Sequence, residues 1–523
     1  MKRNRNGISV SAAIIGLCAL IIVVCVYFIW KYQVKLGAGL VLASLLLMIA
    51  VYHRLQTKHA VLRNFPLLGS LRYGFEKIRP EIRQYFFESD LDGKPFNRRQ
   101  RSIVYQRAKN EKQTVAFGMQ DDPSAIGFEW LSHSIYPVHV DPGQLRVQVG
   151  NGQCAQPYNA SILNISAMSY GALSKTAIEA LNLGAKLGKF AHNTGEGGIS
   201  NYHLAGGDLI WQIGTGYFGC RDMEGRFDPQ LYRNNALRPE VKMIELKLSQ
   251  GAKPGHGGIL PAQKNTPEIA AIRNVEPGTT VHSPARHSAF SDASSLIDFI
   301  EALRNLSDGK PVGFKLCVGD IREFEEICKA MMRKKIYPDF ITVDGAEGGT
   351  GAAPLEFTDH LGMPLYDALA QVSQLLNNMG LKQHIRIFAA GRIITGFDII
   401  KALSLGADAV YSARGMMMAL GCIQALQCDS GKCPVGVATQ QPNLFKGLDV
   451  TDKKVRVANF HGNTLKAVAE LMEACGIEHA GAIHPSRIHR RIRVDLTRTF
   501  EEIYFNGSWQ DTAPVSGISL HYN

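Results

Sequence analysis

Residues 311–354 read PVGFKLCVGDIREFEEICKAMMRKKIYPDFITVDGAEGGTGAAP. Two short apolar runs, 312–316 and 340–343, enclose a stretch, 321–334, in which apolar residues recur at helical spacing. The second run ends in a glycine-rich loop, 344–354. This order predicts two parallel strands joined by a crossover helix, and the loop would let a ligand approach the backbone closely.

The same alternation extends from about residue 161 to residue 412. Ser174 is placed to cap a helix over 175–187. Because continuous apolar strands between helices are typical of parallel sheets, eight such units predict an α/β fold, the (β/α)8 TIM barrel, with a doubly wound sheet as the alternative. We interpret 195–240 as an insertion at the active site. The predicted strands are 162–166, 189–193, 243–248, 280–282, 312–316, 340–343, 385–389 and 409–412.

Glycine-rich loops follow six of the predicted strands. Active sites of barrels lie at the carboxyl ends of the strands, so these loops are expected to share one rim. Backbone N–H groups, with Arg392 and Arg414 in the last two loops, suit a phosphate-bearing cofactor, and tight turns with surface-paired arginines are the alternative. Neither a Rossmann fingerprint nor a P-loop is present. The loops are 166–174, 193–200, 249–258, 344–354, 389–396 and 412–417.

Three cysteines, Cys422, Cys428 and Cys433, lie within one short segment. Thiolates bind iron–sulfur clusters or zinc. Structural zinc usually has four ligands, and this segment offers no fourth cysteine or histidine. Three thiolates and the Cys-Pro ending favour a cluster with three irons, and buried thiols or a redox-active pair are the alternatives.

Charged and polar side chains fall on or near the same predicted rim. Lys315 ends an apolar run, so it must find an anion or lose solvent, and a structural salt bridge is the alternative. Gln250 and Lys253, in a glycine-flanked loop, are suited to grip a carboxylate. Glu196 and Arg273 complete the predicted charged group.

The first 58 residues contain two uncharged apolar stretches, 8–30 and 36–52, of membrane-spanning length. Basic residues on both outer flanks predict a two-span hairpin in the cell membrane with the catalytic domain in the cytoplasm, and a signal peptide is the alternative. The net charge of +11 comes with no nucleic-acid-binding motif, so no nucleic-acid partner is expected. The predicted domains are a transmembrane hairpin, 1–58; a basic collar, 59–135; the barrel with the cysteine loop, 136–483; and a C-terminal extension, 484–523.

Five segments resemble the central and FMN-binding part of the glutamate synthase large subunit. The resemblance spans about 136–483 and is nearest to stand-alone FMN-binding glutamate synthase-related proteins, some of which carry an N-terminal membrane segment. The segments are SAMSYGALS (166–174), NTGEGGIS (193–200), KLSQGAKPGHGGILP (247–261), EGGTGAAP (347–354) and CIQALQCDSGKCPVGVATQ (422–440).

The resemblance implies a (β/α)8 barrel with FMN and a [3Fe–4S] cluster held by Cys422, Cys428 and Cys433. It implies reductive formation of L-glutamate from 2-oxoglutarate and ammonia through 2-iminoglutarate, with hydride from the reduced flavin and electrons from the cluster. By the same match, the residues that would orient the 2-oxo acid are Glu196, Gln250, Lys253 and Arg273. The residues that would hold FMN are Ala167, Met168, Ser169, Lys315, Gly349, Thr350, Gly351, Gly391, Arg392, Ala413 and Arg414.

Several residues depart from the family pattern on the substrate side. His256 replaces the glutamate of PGEGG, Ala285 and Arg286 change a proline-rich segment, and Glu347 replaces an aspartate. These changes leave the 2-oxo acid and the amine, ammonia or methylamine, open.

The expected partners are therefore a 2-oxo acid with ammonia or an amine, and an electron donor such as ferredoxin or a separate reductase subunit. No segment matches the family's glutaminase domain, so the reaction is expected to proceed without one, and the source of ammonia is left open. The alternative functions are another FMN-barrel oxidoreductase or isomerase reaction and a membrane electron-transfer subunit.

Overall fold

The computed structural model describes residues 10–32, 37–351, 353–507 and 509. Residues 1–9 and 33–36, which belong to the predicted hairpin, and 510–523 of the predicted C-terminal extension lie outside the described residues. The chain divides into two compact units, Met1–Arg98 and Arg99–Asn523.

Helices and strands alternate through most of the second unit. Within the described residues the α-helices are α1 (Val10–Tyr32), α2 (Gly37–Leu55), α3 (Ala60–Asn64), α4 (Leu68–Ile82), α5 (Arg98–Lys109), α6 (Lys175–Gly188), α7 (Pro229–Ala236), α8 (Pro267–Arg273), α9 (Ala293–Leu306), α10 (Ile321–Lys334), α11 (Leu355–His360), α12 (Leu365–Asn378), α13 (Gly396–Ser404), α14 (Arg414–Ala419), α15 (Pro442–Phe445), α16 (Val450–Cys475) and α17 (Phe500–Tyr504). The strands are β1 (Glu129–Leu131), β2 (Arg146–Val149), β3 (Tyr158–Ser161), β4 (Leu163–Ile165), β5 (His192–Asn193), β6 (Leu209–Ile213), β7 (Val241–Lys247), β8 (Ile259–Leu260), β9 (Val281–His282), β10 (Val312–Leu316), β11 (Phe340–Asp344), β12 (Arg386–Ala390), β13 (Ala409–Ser412), β14 (Ile488–Arg493) and β15 (Leu496–Thr499).

Eight parallel strands close into a barrel in the order β4, β5, β6, β7, β10, β11, β12 and β13. β13 pairs with β4, for example Val410 opposite Leu163, which closes the ring. Seven of these strands coincide with predicted ones, and the predicted (β/α)8 barrel is confirmed. The doubly wound alternative is excluded because an open sheet would leave two unpaired edges.

The remaining predicted strand was wrong. Residues 281–282 form β9, which pairs antiparallel with β8 outside the barrel. The missing barrel strand is β6, which lies inside the segment 195–240 that we interpreted as an insertion. β6 reads LIWQI and is buried at every position, as a barrel strand enclosed by helices must be. The strand pattern of β6 was obscured because the segment around it, 195–240, is otherwise rich in polar residues and glycine.

The bottom of the barrel is filled by a hairpin. β2 and β3 pair antiparallel, and their residues Val149 and Ala160 belong to one buried cluster with strand residues such as Met243, Phe340 and Phe388. The interior is therefore a packed core and not a channel. Above this layer, Glu245 accepts hydrogen bonds from the side chains of β5, β6 and β11, so the catalytic rim rests on a rigid polar layer.

Helix α6 shows how local sequence sets the surrounding helices. Ser174 is its N-cap, and its Oγ accepts from Ala177 N at 3.3 Å, as predicted. The αL residue Lys189 ends the helix and turns the chain into β5. α10 also spans the predicted range 321–334.

The first unit begins with α1 and α2, which pack against each other. These helices overlap the two predicted spans, 8–30 and 36–52. By length and hydropathy, no helix among the described residues qualifies as a membrane span. The structure therefore does not support the predicted transmembrane hairpin.

The ends of the second unit meet in a small sheet. β1, from the predicted collar, pairs with β14, which pairs with β15 in the predicted C-terminal extension. Glu129 of β1 accepts from Lys401 of α13 at 2.9 Å and from Arg490 of β14 at 2.8 Å. This sheet is thereby tied to the outer helices of the barrel.

Candidate functional site

The carboxyl ends of β5, β7 and β10 carry the central charged residues of the rim. Glu196 follows β5, Lys247 ends β7, and Lys315 lies one residue before the end of β10. Lys247 and Lys315 are directly opposite each other in the ladder between β7 and β10. The barrel thus brings residues together that are far apart in sequence.

Lys247 links two of the predicted substrate-binding residues. Its Nζ donates to Glu196 Oε1 at 2.8 Å and to Gln250 Oε1 at 2.6 Å. Burial on its own would raise the pKa of Glu196, but Lys247, Arg273 and Lys253 outweigh it and hold the pKa of that carboxyl below its usual range. Glu196 is therefore an ionised carboxylate enclosed by three cations.

Arg273 and Lys253 are buried cations. Arg273 Nη2 donates to Tyr170 O at 3.1 Å, and its guanidinium lies 5.0 Å from the centre of the Phe218 ring. Lys253 Nζ donates to Gly257 O at 2.7 Å. Within the part of the chain that the structure describes, neither side chain forms an ion pair within 4.0 Å. Two buried cations held by carbonyls are suited to receive an anionic ligand.

Burial affects the protonation of both cations. It lowers the pKa of Arg273 to about 10, although Glu196 acts in the opposite direction. Burial and the neighbouring Lys247 also lower the pKa of Lys253. With a pKa of about 10, Arg273 is a cation at neutral pH and can bind a carboxylate there.

Sequence reasoning missed Lys247 and the residues that position it. The Lys247 carbonyl accepts from His287 Nε2 at 2.8 Å, and the other ring nitrogen contacts Tyr217 Oη at 3.0 Å. Burial lowers the pKa of His287 to about 4, so the imidazole is neutral. One signal was available: Lys247 ends an apolar run just as Lys315 does, in the matching motifs ELKL and GFKL.

The predicted flavin-binding loops approach one another around β4, β5, β11 and β13. A Cβ on Gly195, at φ +65, would lie 2.6 Å from Ser169 N, so only glycine lets these two loops meet. Arg414 Nη2 donates to Glu347 O at 2.5 Å, beside Gly349. The loops after β4 and β5 are thus in contact, and so are the loops after β11 and β13.

Lys315 and Arg414 are two cations on the side of the rim where the flavin-binding loops are predicted. Lys315 Nζ is 3.6 Å from Asp344 Oδ2, which also accepts from Gly251 N at 3.1 Å. Burial, and then the charge of nearby Arg392, lower the pKa of Arg414 to about 10. The donors present (backbone amides of the glycine loops, Lys315 and the two arginines) fit a phosphorylated flavin such as FMN.

The three cysteines share one loop, although the structure does not show a metal centre. Cys422, Cys428 and Cys433 are free thiols. Burial raises the pKa of Cys422 to about 11, and the charges of Cys428 and Cys433 act in the same direction. Among the described residues, no group of three or more His, Cys, Asp or Glu side chains is arranged to hold a metal ion.

The surroundings of this loop fit a cluster better than they fit three isolated thiols. Lys264 is buried, and its Nζ donates to Cys428 O at 2.7 Å. A Cβ on Gly351 would lie 3.0 Å from Asp429 N, so the predicted flavin loop rests against the cysteine loop. In a cluster each thiolate binds a different iron, and an anionic cluster would balance the buried ammonium of Lys264.

Three residues that depart from the family pattern, Glu347, His256 and Arg286, have identifiable surroundings in the structure. Both oxygens of the Glu347 carboxylate accept from Leu365 N, at 3.1 and 3.0 Å, which caps α12. The His256 ring lies 5.5 Å from the ring of Phe357, and Arg286 is exposed. Glu347 therefore has a structural role. In the part of the chain that the structure describes, neither His256 nor Arg286 forms a side-chain hydrogen bond with Glu196 or Lys247.

This chain is similar to known proteins in sequence and in structure. A family model described as the conserved region in glutamate synthase matches residues 137–478. The chain is 39% identical over 477 residues to the glutamate synthase large subunit-like protein YerD of Bacillus subtilis (strain 168), covering 83% of this chain and 90% of the relative. It is 34% identical over 371 residues to the archaeal glutamate synthase (NADPH) of Methanocaldococcus jannaschii, covering 70% and 68%. A solved structure of mandelate oxidase with (S)-2-phenylpropionate matches at 15% identity and a TM-score of 0.42, covering 76% of this chain and 98% of that one.

Proposed function

Because the chain belongs to the glutamate synthase family and is an oxidoreductase, we propose that it forms L-glutamate from 2-oxoglutarate and ammonia through 2-iminoglutarate, with FMN and a [3Fe–4S] cluster. The observation that carries this proposal is the pair of buried cations, Lys253 and Arg273, beside the ionised Glu196. A dicarboxylate needs two cationic anchors, and an incoming amine needs a carboxylate.

Each residue of this group has a separate task. Arg273 and Lys253 bind the two carboxylates of the 2-oxo acid and fix its carbonyl carbon over the rim. Glu196 holds the ammonium by charge and accepts a proton from it as the amine attacks. Lys247 keeps Glu196 oriented through Oε1 and holds the Gln250 side-chain oxygen, so the Gln250 amide N–H₂ is available to the substrate.

The remaining predicted residues would hold the cofactors. The loop at Ala167–Ser169, the glycines of 349–351, Gly391 and Ala413 would contact FMN through their backbone, with Lys315, Arg392 and Arg414 supplying positive charge. When bound, FMN supplies the hydride chemistry and the cluster supplies single electrons. Cys422, Cys428 and Cys433 would bind the cluster, next to the loop that contains Gly351.

The partners follow from this chemistry. The electron donor is proposed to be a ferredoxin or a separate reductase subunit, although the name of the archaeal relative includes NADPH. We also propose that α1 and α2 anchor the chain at the cell membrane, with the catalytic unit in the cytoplasm. Supporting this, apolar side chains of these helices are exposed, such as Leu20 at 58%, Trp30 at 81% and Met48 at 60%.

Anaerobic purification of the full chain tests the proposal. Flavin and iron are quantified, and the reduced protein is mixed with 2-oxoglutarate plus ammonia or methylamine. We expect FMN and three irons per chain, and flavin reoxidation with glutamate formed only when both substrates are present. Flavin without iron would favour another FMN-barrel reaction, and flavin that stays reduced would favour an electron-transfer subunit. Direct reduction by NADPH would contradict the proposed donor.

Variants at the cysteines test the cluster itself. Cys433→Ser removes a predicted ligand, whereas Cys328→Ser is a matched control because Cys328 is also buried but lies in α10. We expect C433S to lose iron and its visible absorbance, and C328S to keep both. Equal iron in the two variants would exclude Cys433 as a ligand.

A further inference from the structure

Helix α4 exposes a continuous apolar face. Every residue over 70–81 is exposed. The side chains of Leu68, Leu71, Phe75 and Ile78 are 54%, 59%, 63% and 46% exposed. Their spacing of three or four residues places them on one side of the helix. Within the described part of the chain, this face is left uncovered.

An uncovered helix of this length is not stable by itself. α4 has 15 residues, and isolated helices of about that length are marginal in water. Pro80 lies inside the helix and cannot donate a backbone hydrogen bond. The chain continues through a π-helical turn in which Phe86 and Phe87 are 80% and 78% exposed. These features indicate a partner that covers the apolar face.

Basic side chains border this face. At about 100° per residue, Arg72 and Arg79 fall beside the apolar stripe, and Arg83 begins the π-helical turn that follows α4. The side chains of Arg72 and Arg83 are 61% and 63% exposed, and their ion pairs with glutamates are long, at 3.9 and 3.4 Å. An apolar stripe beside arginines is typical of helices that lie in the headgroup region of anionic membranes. A protein partner would have to desolvate these charges.

The start of α4 is held against the end of α2 and against α3. Leu67 N donates to His53 Nδ1 at 3.2 Å, and a Cβ on Gly69 would lie 3.1 Å from Val61 O. α2 and α4 belong to the same compact unit, and α2 also exposes apolar side chains such as Leu42, at 59%. The apolar surface of this unit therefore extends from α2 into α4.

We propose that α4 and the turn Arg83–Phe87 lie along an anionic lipid surface, with the apolar face among the acyl chains and the arginines among the headgroups. The proposal goes beyond the proposed reaction. It also holds whether or not α1 and α2 cross the bilayer, because the apolar and basic side chains that it uses belong to α4 and the turn after it. A second copy of the chain is the competing occupant.

Hydrogen exchange of the full chain, read by mass spectrometry, tests this. The protein is measured alone, with phosphatidylcholine vesicles and with vesicles that also contain phosphatidylglycerol. We expect amides of 68–87 to exchange at least about tenfold more slowly with the anionic vesicles, because several basic side chains each add to the binding. Amides of α10 should not change.

Three variants separate the contributions. L71S/F75S/I78S should abolish the protection on all vesicles, and R72Q/R79Q/R83Q should abolish the difference between anionic and neutral vesicles. R322Q/K329Q/R333Q removes the same charge from α10 and should behave as the unmodified chain.

Two results would overturn the proposal: no slowing of 68–87 by any vesicle, or slowing without lipid that grows with protein concentration, which would indicate a second copy. High salt distinguishes α4 from the hairpin, because spanning helices would keep the chain on the vesicles while the protection of 68–87 falls.

Discussion

At the residue scale, Lys247 organises the side of the rim that we propose binds the substrate. The Lys247 ammonium donates to the Glu196 carboxylate and to the Gln250 amide oxygen. The Lys247 backbone carbonyl accepts a hydrogen bond from His287. The side chains of Lys247 and Glu196 are only 10% and 19% exposed. Because little solvent reaches the pair, removing one partner leaves a poorly solvated charge on the other.

Lys247→Met should therefore lower the free energy of unfolding by roughly 3 kcal/mol, measured by urea denaturation. The double variant K247M/E196Q should recover much of the loss, because it removes the unpaired carboxylate as well. Lys329→Met is the control: that lysine pairs with Glu325 and Glu326 in a much more exposed position, so the loss should be far smaller than in Lys247→Met. Equal losses in K247M and K329M would contradict this account.

At the element scale, α6 connects the first rim loop to the segment after the cysteine loop. Ser174 Oγ caps α6 and also donates to Gly436 O at 2.7 Å. The sequence predicted the cap, because a serine preceded an amphipathic run. It gave no sign of the second bond, because Gly436 is far away along the chain and meets Ser174 only when the barrel closes.

Ser174→Ala should destabilise the protein by about 2 kcal/mol, the sum of a lost cap and a lost buried hydrogen bond. Asp292→Ala removes the cap of exposed Asp292 on α9, whose only other side-chain bond in the described residues comes from its neighbour Ser291 at 3.3 Å, and should cost clearly less than Ser174→Ala. Chemical denaturation of both variants gives the comparison. A loss in S174A no larger than that in D292A would show that the bond to Gly436 contributes little.

At the scale of the whole molecule, burial of histidines makes the fold sensitive to acid. Burial lowers the pKa of His203 and His461 to about 3 and that of His287 to about 4. His461 contacts Ser161 Oγ at 2.9 Å and stacks on Phe190. In the unfolded chain these rings bind protons near pH 6.5, so the unfolded state takes up more protons as the pH falls below that value.

The free energy of unfolding should therefore be greatest near neutral pH and fall between about pH 6.5 and pH 4, by up to about 1.4 kcal/mol per pH unit for each buried histidine. His461→Gln should reduce this slope by about one proton, measured by urea denaturation at about pH 7 and pH 5. His479→Gln, at an exposed position, should leave the slope unchanged. The same slope in all three proteins would exclude His461 as a contributor.

The sequence by itself determined the barrel, its glycine-rich rim and the family, because these depend on local periodicity and on short motifs that keep their meaning wherever they fold. Only the tertiary structure decided that β6 and not 280–282 completes the ring, and that Lys247 joins Glu196 to Gln250. A strand of two residues and one of five can look alike in a polar, glycine-rich segment. The contact between Lys247, at the end of β7, and Glu196, in the loop after β5, exists only once the strands have closed into a ring. No local pattern encodes it.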